Sequence, residues 1–179
     1  MNDASRNWPA PDAEWEARVD AVWAADLADL ELRERIAALA AELADGHPIA
    51  HFEVGGSFDS TGDAATAVEH YRAALAAGLE PDRRRQCVIQ LASSLRNLGE
   101  ADHAVQLLTD ELAHAEEPHE AQLRAFLALA LADAGREREA VGLAVGAVGS
   151  LVERYRRSLT AYGAELAGEA FPPALPVVE

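Results

Sequence analysis

His47 and His51 stand four residues apart, a spacing that sets two imidazoles on one helical face and could hold a metal ion. Pro48 speaks against that use, because a proline at the first helical position leaves His47 outside the helix as its cap. No third ligand accompanies the pair, and no metal site is assigned. His114 and His119, separated by Ala-Glu-Glu-Pro, read as a solvated turn. Gly55-Gly56-Ser57 raises the idea of a phosphate cradle or a nucleophile, but the Gly-Lys-Ser/Thr ending of a phosphate loop is missing. Both glycines also fall inside a predicted helix, where close packing accounts for them. Cys87 lies near an apolar stretch with no base beside it and reads as a buried, inert thiol. Paired acids are frequent, but they sit on polar helix faces where solvation explains them. No catalytic residue and no cofactor is assigned, and the chain is expected not to be an enzyme.

The elements that position these groups are helices. Of the 179 residues, 50% are apolar and 26% charged, a balance that suits a folded core. Alanine, the best helix former, dominates the apolar class. A formal charge of −16 repels phosphate backbones and anionic lipid, so nucleic acid and membrane are poor partners. A basic or apolar protein or peptide suits this surface better. The 15 cations are all arginine, as a GC-rich coding bias would produce. One cysteine excludes an internal disulfide and a Cys-rich zinc site and suits a reducing compartment. With no basic n-region leading into an apolar core and no apolar run near the ~20 residues of a membrane span, a cytoplasmic location is expected.

A repeat organises the middle of the chain. Gly62-Asp-Ala-Ala-Thr-Ala67-Val68, Gly99-Glu-Ala-Asp-His-Ala104-Val105 and Gly135-Arg-Glu-Arg-Glu-Ala140-Val141 share one pattern, and their glycines recur at 37 and 36 residues. Seven residues before each glycine is a small residue (Gly55, Ala92, Ala128), and four before it a large apolar one (Phe58, Leu95, Leu131). Tyr71, Leu108 and Ala144 follow each repeated alanine by four. Small residues where two antiparallel helices, A and B, touch allow the axes to approach, and the larger ones interdigitate around them. Each glycine ends helix A in a left-handed conformation, while Pro81 and Pro118 open the next helix A.

This pattern resembles the tetratricopeptide repeat (TPR) over roughly residues 47–150. It is similar, more narrowly, to a bacterial group of small TPR proteins of unknown function, tetratrico repeat group 5. Phe58-Asp-Ser-Thr-Gly62, the run from Val88 to Gly99, and Ala125 to Asp133 with Gly135 to Ala140 carry the likeness, along with Arg154-Tyr155 and Arg157-Ser-Leu159. It implies an all-α fold: a right-handed α-α superhelix of three helix pairs (47–80, 81–117, 118–150), a degenerate N-terminal pair and a long C-terminal capping helix. It also implies a soluble bacterial setting, and it brings no known activity. The large aromatic often found early in helix A is replaced by His51, Val88 and Arg124.

The ends extend this plan. A flexible stretch over 1–11 precedes a helical lid over 12–46, with two helices expected to break near 26–29 and cover the first repeat. This N-terminal section carries all three tryptophans, Trp8 in the flexible stretch and Trp15 and Trp23 in the lid, and through residue 47 the chain has eleven acids against four arginines. Burial of the three tryptophans is expected; an exposed cluster would mark an interface. From Arg136 to Leu166 no proline intervenes, and Val141, Val145, Val148, Val152, Tyr155, Leu159, Tyr162 and Leu166 keep heptad spacing. The last helix should therefore overshoot its repeat through 151–168, as a cap or as a dimer seam through Val152, Tyr155, Leu159, Tyr162 and Leu166 flanked by Arg154, Arg156 and Arg157. Gly142, Gly146 and Gly149 are expected to mark close helix approach. A Pro-rich tail over 169–179 is expected to be mobile.

If the A helices line a concave groove as the resemblance implies, unit one contributes Ile49, Phe52, Gly56, Asp59 and Ser60. Unit two contributes Gln86, Ile89, Ser93, Arg96 and Asn97. Unit three contributes Gln122, Ala125, Leu129, Ala132 and Asp133. The Lys/Asn set with which some TPRs grip a partner's C-terminal carboxylate is absent. The leading expectation is therefore a peptide or helix bound in the groove. The alternatives are a self-assembling homodimer whose groove holds its own tail or a neighbour, and a small-ligand carrier or enzyme.

Overall fold

In a computed structural model, residues 8–114 and 120–168 are described, and among them every regular element is an α-helix. The helices are α1 (Ala13–Trp23), α2 (Asp29–Ala40), α3 (Pro48–Ser60), α4 (Ala64–Ala77), α5 (Pro81–Asn97), α6 (Ala101–Leu112), α7 (Glu120–Asp133), α8 (Glu137–Leu151) and α9 (Arg156–Ala167). The chain divides into two compact units, Met1–Gly99 and Glu100–Glu179, so the division falls within the second repeat.

Local chemistry sets the helix ends. Asp12 caps α1 by accepting from the Trp15 amide at 2.8 Å, and Asp63 caps α4 by accepting from the Thr66 amide at 3.1 Å. His47 caps α3 through Nδ1, which accepts from the Ile49 amide at 3.2 Å, with Pro48 at the first helical position. Pro81 opens α5 in the same way; Pro118 lies outside the described residues. The repeat glycines Gly62, Gly99 and Gly135 take φ of +85°, +80° and +75°, the left-handed stop their positions predict.

In the first unit α3 and α4 pack as a hairpin, with α5 against α4 and the α1–α2 pair against α3. Ala67, Tyr71, Ala74 and Ala92 are fully buried, as the repeat register requires. Each large apolar side chain so buried stabilises the fold by roughly 1.5–3 kcal/mol. A second cluster joins α1 and α2 to the start of α3 through Trp15, Val19, Ile36, Leu39 and Ile49. The Trp15 indole N–H donates to the Leu39 carbonyl at 2.9 Å. The expected break in the lid falls at 24–28, slightly earlier than its polar patch indicates.

Two expectations about the ends need correction. Residues 8–11 are not free: the Trp8 indole donates to the Ala77 carbonyl at 3.1 Å and packs edge-on against His47, whose Nε2 lies 3.0 Å from the Pro9 carbonyl. In the second unit, the single helix expected from Arg136 to Leu166 is broken at 152–155, where Tyr155 adopts φ +69°. The chain turns back there and α9 packs along α8. Glycine is the reason. A Cβ on Gly163 would lie 2.7 Å from the Gly142 carbonyl oxygen and the Gly146 amide nitrogen, and one on Gly149 would lie 3.0 Å from the Thr160 amide nitrogen. Backbones that approach this closely form a better-packed hairpin than a straight helix would, and that packing offsets the ~1–2 kcal/mol of a left-handed tyrosine. The heptad valines Val141 and Val148 are left half-exposed. The tail over 169–179 lies outside the described residues.

Candidate partner-binding cleft

The first unit holds a cleft of about 640 Å³ walled by α1, α3 and α5, with the fully buried Tyr71 of α4 packed behind the wall. Its floor is aromatic. Gly55 admits the Tyr71 ring, which would lie 2.8 Å from a Cβ at that position, and the phenol donates to Gln90 Oε1 at 2.6 Å. Gly56 admits the Trp23 indole, 3.2 Å from where its Cβ would be. Phe52 completes this surface. Tight packing is thus what the paired glycines serve, and the Gly55-Gly56-Ser57 segment lies within α3.

The walls are polar, and their charge is mostly negative. Glu16, Asp20, Glu53 and Asp59 face the cleft together with Arg83, which pairs with Glu16 at 2.5 Å. Glu53 is only 7% exposed, and its Oε2 accepts from Trp23 Nε1–H at 2.8 Å. Burial raises the Glu53 carboxyl above its ordinary range, against the pull of the Trp23 bond and Arg83, with Glu16 and Asp20 adding to the rise. Asp59 accepts from Ser94 Oγ at 2.8 Å. Burial, and then the neighbouring Asp59, hold the Tyr71 phenol in its protonated form.

Of the groove positions expected from sequence, Phe52, Asp59, Gln86 and Asn97 line this cleft, as do Gly56, Ser60 and Ser93. Ile49 does not; it is buried in the α1–α2–α3 core. Ile89 and Arg96 are half-buried elsewhere on α5. Gln122, Leu129 and Asp133 are exposed on α7 of the second unit, as are Ala125 and Ala132. Sequence reasoning missed the α1 wall and the Glu53–Trp23 bond. The signal was there: Glu16, Asp20 and Trp23 fall on one helical face of α1.

The tryptophans divide accordingly. Trp15 is 3% exposed and belongs to the core, Trp8 is half-buried, and Trp23 is 38% exposed at the cleft. Of the proposed seam residues, Tyr155 and Tyr162 are exposed, while Val152, Leu159 and Leu166 are half-buried.

Other candidate chemistry is accounted for by packing. Cys87 is fully buried, and burial pushes its thiol up to about 12. His51 pairs with His70, not with His47, with Nδ1 atoms 3.2 Å apart. Among the described residues no three His, Cys, Asp or Glu side chains gather as a metal would need. No helix among them is long and apolar enough to cross a membrane.

Residues 48–166 match a family model described as a tetratrico peptide repeat. Neither the curated proteins nor the solved structures compared with the chain gave a match.

Proposed function

The chain belongs to the tetratricopeptide-repeat family, and from that premise we propose that it is a protein–protein interaction module that binds a peptide segment of its partner in the α1–α3–α5 cleft. The observation that carries this reading is the cleft itself. It has an aromatic floor, and Gln86, Gln90, Ser93 and Asn97 on one wall can hydrogen-bond a peptide backbone. Its volume lies within the ~300–1,000 Å³ of ligand pockets. An extended segment would gain affinity from the floor and orientation from the amides. The acidic surface supports a protein partner over nucleic acid.

The test is selection of a random dodecapeptide display library on the full chain, with counter-screening against Gln86→Trp/Asn97→Trp. Both positions are exposed on α5, so the variant should fill the cleft and fold normally. Peptides that bind the wild type and lose at least tenfold on the variant are expected. Binders indifferent to the variant would overturn the assignment. Phe52→Ala is unsuitable, because the residue is only 7% exposed and loss of its ring would cost the fold itself roughly 3–5 kcal/mol.

A second reading is homodimerisation through the second unit. Val141, Val148, Leu151, Tyr155 and Tyr162 are large apolar side chains left exposed there. Arg154, Arg156 and Arg157 beside them offer charge complementarity to the acids of another copy. Sedimentation of the full chain and of Leu151→Asp tests it; a monomer in both cases rules it out.

A further inference from the structure

Glu53 holds an unspent acceptor. Its Oε2 takes the Trp23 N–H, but no hydrogen bond among the described residues reaches its Oε1. No buried side-chain oxygen or nitrogen is left without a partner among the described residues. Oε1 therefore keeps contact with the cleft that Glu53 lines. A carboxylate buried to this degree, with one oxygen open to a cleft, is costly unless a donor arrives.

What surrounds that oxygen specifies the donor. Asp20 meets no cation among the described residues, and Arg83 is already engaged by Glu16. Among the described residues the lining thus sets four carboxylates against one guanidinium, a field that repels phosphates and free carboxylate ends and attracts a cation. Trp23 lies on Gly56 and the residue is still 38% exposed, so a planar cation has a ring to stack on. Phe52 and Trp23 can cover an aliphatic stem. A guanidinium combines these needs: a flat, delocalised charge, several donors, and tolerance of partial burial that an ammonium lacks.

We propose that the cleft is a receptor for an arginine side chain of the partner, its guanidinium donating to Glu53 Oε1 and the Asp20 carboxylate beside the Trp23 indole. The proposal deepens the peptide-binding reading and rests on it. Asp59, already held by Ser94, shapes the field without contributing the main contact.

The experiment takes the cleft-dependent dodecapeptides from the display selection, made synthetically, and measures them on the full chain by calorimetry. An arginine at a fixed position is expected in the selected peptides. Its replacement by citrulline, which keeps the shape and loses the charge, should weaken binding at least tenfold, and lysine should weaken it less. Glu53→Gln keeps an acceptor for the Trp23 N–H and removes only the charge. It should cost the arginine peptide at least fivefold and leave the citrulline peptide unchanged, with Asp20→Asn acting in the same direction. Cleft-dependent peptides with no conserved arginine, or equal loss of both peptides on Glu53→Gln, overturn the arginine assignment while the peptide site stands. Failure to select any cleft-dependent peptide overturns both.

Discussion

The indole N–H of Trp23 donates to Glu53 Oε2 at 2.8 Å, joining residues 30 positions apart and fixing the end of α1 against the middle of α3. Through this bond the lid becomes a wall of the cleft. It also holds a carboxylate where burial raises its pKa, the Trp23 bond and Arg83 offsetting part of that rise.

The sign of that shift predicts a stability change. A carboxyl with a raised folded pKa costs the fold nothing while both states are protonated, and progressively more as pH climbs from the unfolded value through the folded one. Glu53→Gln is therefore expected to raise Tm at about pH 8 and to leave it nearly unchanged near pH 4, just below the ordinary glutamate value. Thermal melts at the two pH values check it. A lower Tm for the variant at the higher pH would mean that the charge itself stabilises the unliganded fold.

The α8–α9 crossing predicts opposite outcomes for two glycines on facing helices. A methyl on Gly146 would have nothing within 4 Å, whereas the same group on Gly163 would meet backbone at 2.7 Å. Gly146→Ala should stabilise the chain by about 0.5–1 kcal/mol through helix propensity. Gly163→Ala should destabilise it by about 1–3 kcal/mol, because backbone atoms cannot retreat as a side chain would. Urea titrations monitored by circular dichroism distinguish the two, and equal effects would refute the close crossing.

Gly55 and Tyr71 supply a further contrast. Alanine is ordinarily worth up to ~1 kcal/mol over glycine within a helix. At Gly55 its methyl would sit 2.8 Å from Cδ1 and Cε1 of a fully buried ring. Gly55→Ala is expected to lose about 1–3 kcal/mol and to disturb the Tyr71–Gln90 bond. A stability measurement, with the Tyr71 ring signals followed by NMR, tests both parts.

His70 predicts acid sensitivity. Burial lowers its pKa first and His51 lowers it further, against a smaller opposite pull from Glu69. Its contribution is therefore intact at neutral pH and lost as pH falls through the unfolded value of about 6.5 toward the folded one, because the unfolded chain takes up the proton more readily. His70→Phe keeps an aromatic ring stacked on Phe58 and removes the titration. Its Tm should fall less than that of the wild type between about pH 7 and pH 5; parallel curves would contradict the assignment.

The repeat was legible because it is written locally. A glycine, a small residue seven before it and an alanine five after it return in phase, and Gly55, Ala92, Ala128, Ala67, Ala104 and Ala140 are all buried where that register puts them. Half of the cleft was legible for the same reason, since Phe52, Asp59, Gln86 and Asn97 follow from repeat position. The α1 wall was legible only in part: the spacing of Glu16, Asp20 and Trp23 puts them on one face, but the Trp23–Glu53 bond that turns that face to the cleft is a tertiary contact. The C-terminal hairpin was not legible: large apolar residues in heptad phase point to one long helix, whereas the contact is made by Gly142, Gly149 and Gly163. Small side chains decided that packing, and hydrophobic periodicity does not register them.

The unequal burial of the tryptophans has a spectroscopic consequence. Trp15 sits in the core at 3% exposed, while Trp23 borders the cleft at 38%. Their emission should differ in colour and in access to a dissolved quencher such as acrylamide, with Trp23 as the red, quenchable component. A ligand that stacks on its ring would shield that component and leave the blue one untouched, so the chain carries its own optical gauge of cleft occupancy.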